Sequence, residues 1–208
     1  MQINLVLLRH GLDEILFATR WFRPFRFLRI FMPWAWFRRQ QRPRAERIRL
    51  ALEDLGPIFV KFGQILSTRR DLLPADIAAE LARLQDQVPP FPGEQARAIV
   101  EAEYQQPVDG WFAHLDEQAL ASASIAQVHA ARLHDGRDVI VKVLRPNIEQ
   151  AIGRDLQVMY LFARLAQRYW REGYRLRPVE VVREFDNTLN DELDLMREAA
   201  NASQLKRN

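Results

Sequence analysis

The sequence predicts an α+β protein, and three observations carry this. Residues 45–105 place apolar side chains at helical spacing. Residues 124–144 hold two Val- and Ile-rich runs around an Asp-Gly turn. After Pro146 the spacing becomes helical again.

The elements follow in order. Ile48, Leu52 and Leu55 define a first helix, which Gly56-Pro57 stops. A second helix is predicted over Ile58–Thr68. Lys61 and Gln64 lie three apart there, on one face, among Ile58, Phe59, Phe62 and Ile65. A third is predicted from Pro74 to Gln87, with Ile77, Leu81, Leu84 and Val88 along one side. The run Val88-Pro89-Pro90-Phe91-Pro92-Gly93 breaks the chain, and a fourth helix begins near Glu94. Residues 124–133 and 138–144 read as a hairpin around Asp135-Gly136. Ile148, Ile152, Leu156 and Met159 mark a long helix, and Pro178 opens a last one running from Val179 to Gln204. No internal repeat or low-complexity segment interrupts this order.

Composition narrows the chemistry. The 208 residues, 48% hydrophobic, suffice for one ordinary domain or two small ones. There is no Cys, which excludes disulfides, thiolate metal sites and thiol nucleophiles. His10, His114, His129 and His134 lack ligand-like spacing, so no metal site is expected. No run approaches the about 18 apolar residues of a membrane span, and the first residues lack the order of a secretory signal.

The net charge of +3 conceals an asymmetry, because residues 1–50 carry eleven Arg against three acids. Residues 20–38 combine eight aromatic residues with five Arg, and Pro24 and Pro33 prevent one straight helix there. Arg stems among Trp and Phe suit a lipid headgroup surface, so this segment is expected to touch an anionic membrane. An ordinary buried element with solvated Arg is the alternative. Nucleic-acid binding has no base-reading motif to support it.

The chain contains 27 Arg and only three Lys, yet Lys61 and Lys142 sit within apolar runs. A compact ammonium differs from a planar guanidinium fork, and phosphate binding is a common reason to keep it. Lys142 lies in Val139-Ile140-Val141-Lys142, a strand that follows a small-residue loop and a hairpin turn. Protein kinases use this layout to cover and bridge nucleotide phosphates.

The ordered set of motifs is more specific than any one of them. It comprises Leu55-Gly56-Pro57, Lys61-Phe62-Gly63-Gln64, Leu66-Ser67-Thr68-Arg69-Arg70-Asp71-Leu72 and the stretch from Ala121 to His129. Val141-Lys142-Val143 with Arg145-Pro146, Glu192-Leu193-Asp194 and Glu198-Ala199-Ala200-Asn201 complete it. This set resembles the UbiB family of atypical kinase-like proteins, which includes the ADCK proteins of mitochondria and bacterial factors of ubiquinone biosynthesis. The likeness runs from about residue 10 to the last residue.

The resemblance implies a protein-kinase-like N-lobe preceded by a helical K-x-G-Q extension. The domains expected are a basic, aromatic, membrane-facing segment over 1–44, the extension over 45–115 and the N-lobe over 116–208. It implies that Leu120, Ala121, Ser122, Ala123, Ser124, Ile125, Ala126, Gln127 and Val128 form an alanine-rich nucleotide loop. Lys142 matches the phosphate-contacting lysine and Glu198 its helix partner. Lys61 and Gln64 match the K-x-G-Q motif over the nucleotide site, where a peptide would otherwise dock. Glu192 and Asp194 match the E-x-D motif expected to hold Lys61. On one continuous helix, Glu192 and Glu198 would point about 120° apart and serve two lysines.

ATP or ADP with Mg²⁺ is the implied cofactor. A membrane surface, ubiquinone precursors and other ubiquinone-biosynthesis proteins are the implied partners, and the cytoplasmic face of a bacterial inner membrane the implied location. The catalytic Asp and the metal-binding Asn and Asp of the second lobe have no counterpart in these 208 residues. The chain alone is therefore expected not to turn over ATP, and a non-catalytic membrane-associated binding module is the alternative.

Overall fold

The computed structural model describes residues 6, 9–11, 42–69, 71–86, 88–169, 173–197, 199, 200 and 204. The Arg- and aromatic-rich segment 20–38 and Glu198 lie outside the described residues. Two compact units are present, one formed by residues up to Gln85 together with those from Gly153 onward, the other by Asp86–Ile152.

The first unit is helical. Helix α1 (Arg44–Leu55) ends at Gly56, whose φ of 113° is open to glycine and whose extended ψ of −178° suits the residue before a proline. Pro57 occupies the first turn of α2 (Pro57–Thr68), where its missing N–H costs nothing. Helix α3 is shorter than its apolar spacing predicts, spanning Ala75–Leu81, because the chain then turns with the Leu84 N–H donating to the Leu81 carbonyl. Leu84 is nevertheless buried beside Val60 and Leu81, so the spacing reports tertiary packing and not a longer helix. Among the described residues no helix is long and apolar enough to cross a membrane.

The second unit is built on an antiparallel sheet of order β1-β2-β3. Helix α4 (Gly93–Tyr104) and a 3₁₀ turn (Val108–Gly110) precede β1 (Phe112–Ser122), β2 (Ala126–Leu133) and β3 (Asp138–Leu144). The hairpin falls at the Asp-Gly turn, with Gly136 at φ 87° and its N–H donating to the Leu133 carbonyl. One sheet face packs on α4, joining Ala96 and Val100 to Val108, Phe112, Leu115, Ala131 and Val143. Gly93 is needed at the start of α4, since a Cβ there would stand 2.2 Å from the Glu117 carbonyl oxygen of β1.

Helix α5 (Ile148–Tyr169) carries its buried stripe at Ile148, Ile152, Leu156, Met159 and Ala163. A short turn, α6 (Gly173–Leu176), precedes α7 (Pro178–Leu193), which buries Val182, Phe185 and Leu189. The last helix does not run unbroken to Gln204. It stops at Asp194 (φ −80°, ψ 80°), whose carboxylate accepts the Arg197 N–H at 3.0 Å and so caps a new turn. That break removes the continuous-helix geometry on which the angular separation of Glu192 and Glu198 rested.

Candidate functional site

Each residue of Lys61-Phe62-Gly63-Gln64 has a separate structural contact in the helical unit. Lys61 Nζ lies 2.7 Å from Glu192 Oε1 on α7, with both side chains partly shielded from water. The Phe62 ring stands 5.1 Å from that of Phe185, tilted by 57°. Gly63 lets α2 approach its neighbours closely, because a Cβ there would sit 2.4 Å from Leu84 Cδ1 and 2.8 Å from Leu52 Cδ1. Gln64 Nε2 donates to the Leu84 carbonyl at 3.1 Å, in the turn that follows α3. Below the motif, Arg69 Nη1 donates to Glu184 at 2.9 Å and adds a second polar link to α7.

The two acids expected at Lys61 thus separate. Glu192 reaches the ammonium from the last turn of α7, whereas Asp194 caps the turn beyond it. Lys61 and Glu192 are brought together, and Asp194 is turned to backbone. Whether Glu198 faces Lys142 falls outside the described residues.

In the sheet unit, the register aligns Ala121 of β1, Val128 of β2 and Lys142 of β3 in one cross-strand row. Side chains alternate across a strand, so this row faces away from the α4 core, which takes Val139, Val141 and Val143. Flanking it on the same face are Ile140, which is 71% exposed, and Leu144. The row therefore places one ammonium group on a small, mostly apolar sheet surface two residues from the start of β2. A point charge on such a surface can hold an anion such as phosphate while apolar neighbours take a flat ring. Among the described residues no three His or acidic side chains converge to form a metal cage.

The alanine-rich stretch is two strand ends and a three-residue connection, Ala123-Ser124-Ile125. Its polar side chains face inward. Ser124 Oγ donates to Asp86 Oδ2 at 3.2 Å. Gln127, fully buried, accepts the Phe91 N–H at Oε1 (3.0 Å) and donates to the Phe91 carbonyl (3.2 Å) and to His129 Nε2 (2.8 Å). Since Gln127 Nε2 is the donor there, His129 carries its proton on Nδ1 and gives it to the Asp116 carbonyl at 2.8 Å. Ser124 and Gln127 thus serve the fold with their side chains.

Arg145, beside Pro146, ties the turn together. Its guanidinium donates to the Ala123 carbonyl (2.9 Å), Ser122 Oγ (2.6 Å) and the Pro89 carbonyl (2.9 Å), while its backbone N–H donates to the Ile125 carbonyl (2.9 Å). Burial pushes this guanidinium below the ordinary arginine value, and the Asp86 carboxylate opposes that shift. The only sequence signal was its place beside Pro146, because one Arg among 27 carries little information.

The ABC1 atypical kinase-like domain matches residues 83–208. A "Probable protein kinase UbiB" of Marinobacter nauticus is 56% identical over 207 residues, covering all of this chain and 38% of the relative. Proteins of the same name from Azotobacter vinelandii and Pseudomonas fluorescens are 55% and 52% identical, again over the whole chain and 39% of each relative. The chain therefore spans well under half the length of these relatives. With three antiparallel strands, a lysine on the third and a domain match over more than half of its residues, the chain belongs to the ABC1 atypical kinase-like family.

Proposed function

We propose that this chain supplies the nucleotide-holding lobe of an atypical kinase or ATPase that serves ubiquinone biosynthesis. The observation that carries the proposal is the Ala121–Val128–Lys142 row beside the alanine-rich turn. Lys142 acts as the point charge on phosphate oxygens, and the apolar row accepts the base. ATP or ADP arrives with Mg²⁺, and ATP supplies the transferable phosphoryl group. The family resemblance gives Lys61, which Glu192 holds, and Gln64 a regulatory role, and this supports a small-molecule kinase or an ATPase over a protein kinase. The ubiquinone assignment is supported by the family resemblance and by the names of the relatives.

Titration of the full-length protein with MgATP tests this. Lys142→Ala is expected to weaken binding at least about tenfold, equivalent to about 1.4 kcal/mol, without lowering the melting temperature appreciably. If the wild-type protein bound neither MgATP nor MgADP, a non-catalytic module for other ubiquinone-biosynthesis proteins would replace this function.

The Arg- and aromatic-rich residues 20–38 are the membrane contact in this proposal and place the protein at the cytoplasmic face of the inner membrane. The full-length protein with Arg20, Arg23, Arg26 and Arg29 changed to Gln is expected to lose flotation with anionic vesicles at low salt. Unchanged flotation of that variant would assign membrane contact to other residues.

A further inference from the structure

We propose that Arg145 is the positioning residue of the nucleotide turn, a clamp that holds Ser122–Ala126 in one shape before any ligand arrives. This rests on the nucleotide-binding function proposed above and adds a residue to it.

The geometry is particular to this turn. In a tight turn the carbonyl of the first residue commonly accepts the N–H three residues on. Here the Ala123 N–H donates to the Ala126 carbonyl at 2.9 Å, and the Ala123 carbonyl is taken by Arg145 Nε instead. The Arg145 backbone N–H takes the Ile125 carbonyl on the other side of the connection. One residue thus grips both sides of the turn. Its Nη2 adds Ser122 Oγ at the end of β1, and on the preceding segment the carbonyls of Pro89 (2.9 Å) and Val88 (3.4 Å). The Phe91 ring lies 5.8 Å from the guanidinium carbon, within cation–π range.

Two further features separate this clamp from an ordinary surface arginine. The guanidinium donates to neutral oxygens, so its charge is not spent on an ion pair within hydrogen-bond reach among these contacts. Asp86, the carboxylate that feels it electrostatically, uses Oδ2 to hold Ser124, while its Oδ1 is buried and receives no hydrogen bond among the described residues. Arg145 and Asp86 therefore both hold the turn, through Ala123 and Ser124. A glycine-rich loop gains close approach to phosphate from free backbone torsions. An alanine-rich turn has fewer torsions to offer, and a fixed shape from a planar five-donor fork replaces that freedom. Lysine retains the charge but has no fork, so Arg145→Lys isolates the clamp.

The test uses the full-length protein and its Arg145→Lys, Ser122→Ala and Lys142→Ala variants. Hydrogen exchange of the Ser122–Ala126 amides is read without nucleotide, and MgATP affinity by calorimetry. Arg145→Lys is expected to speed exchange in the turn about tenfold or more and to weaken MgATP binding about tenfold, with charge unchanged. Ser122→Ala removes one contact and is expected to shift both readouts in the same direction by a smaller factor, at an unchanged melting temperature. It decides the question if Arg145→Lys does not fold. If MgATP binds and depends on Lys142, but turn exchange and affinity are indifferent to Ser122→Ala and to any folded Arg145→Lys, the clamp is wrong and the nucleotide site stands. If the wild-type protein binds no nucleotide, the functional assignment fails and the positioning role fails with it.

Discussion

Gln127→Leu is expected to destabilise the sheet unit by about 3–5 kcal/mol, with the loss present in the absence of any nucleotide. The two side chains are close in volume, so packing changes little. What is lost is a buried amide that satisfies the Phe91 N–H, the Phe91 carbonyl and His129 Nε2 together. Removing one partner of a buried hydrogen bond leaves the desolvation cost of the other, about 1–3 kcal/mol each. Gln127 is fully buried, so water cannot replace it without opening the unit. His129 is affected in turn, because its single-proton form is set by the Gln127 donor on one nitrogen and the Asp116 carbonyl on the other. Urea unfolding measures the cost. A midpoint shift equivalent to less than about 1 kcal/mol would mean that the network relaxes onto other partners. The result also bears on assignment, since a ligand-contacting residue on the alanine-rich stretch would show its main effect on nucleotide affinity instead.

Which parts of the structure could be read from sequence follows from how local their causes are. The α2 helix is local, since Gly56-Pro57 sets its start, and only one residue separates the predicted from the observed first position. The β2–β3 hairpin is local too, because Val and Ile flank Asp135-Gly136. Strand β1 was not legible. Its sequence, FAHLDEQALAS, holds no Val, Ile or Thr, and register shifts after Phe112, Leu115 and Ala119 destroy the period-two burial that marks a strand. It forms because β2 offers a partner and Gly93 brings α4 against Glu117. The end of α7 was misplaced for a different reason. Asp194 is a good cap residue, but without Gly or Pro nearby the periodicity ran on through it. Lys61 and Lys142 stand out in the sequence because lysine is rare in this chain. The partnership of Lys61 with Glu192 needed the family resemblance, since the two are far apart in sequence. Arg145 stayed hidden because its importance lies in carbonyl acceptors, which no sequence pattern displays.

Phe185→Ala is expected to cost the helical unit about 3–5 kcal/mol, whereas Glu192→Gln is expected to cost no more than about 1 kcal/mol. Both residues project from α7 toward α2, but their physics differs. Phe185 is 1% exposed and meets the Phe62 ring between Val182 and Leu189, so truncation leaves a cavity that a packed helix pair fills only in part. The Lys61–Glu192 pair is close, at 2.7 Å, yet the side chains retain 17% and 34% of their exposure. Water therefore screens the pair, and a neutral Gln oxygen can still accept a hydrogen bond from Lys61. Urea unfolding of the two variants, analysed with a common m-value, gives the comparison. A Glu192→Gln cost equal to or above that of Phe185→Ala would assign the docking of α2 on α7 to the ion pair. The expected order assigns it to the rings, and it leaves the ion pair free to change partners without unfolding the unit. A change in MgATP affinity of Glu192→Gln would then bear on the role proposed for Lys61 and not on lost stability.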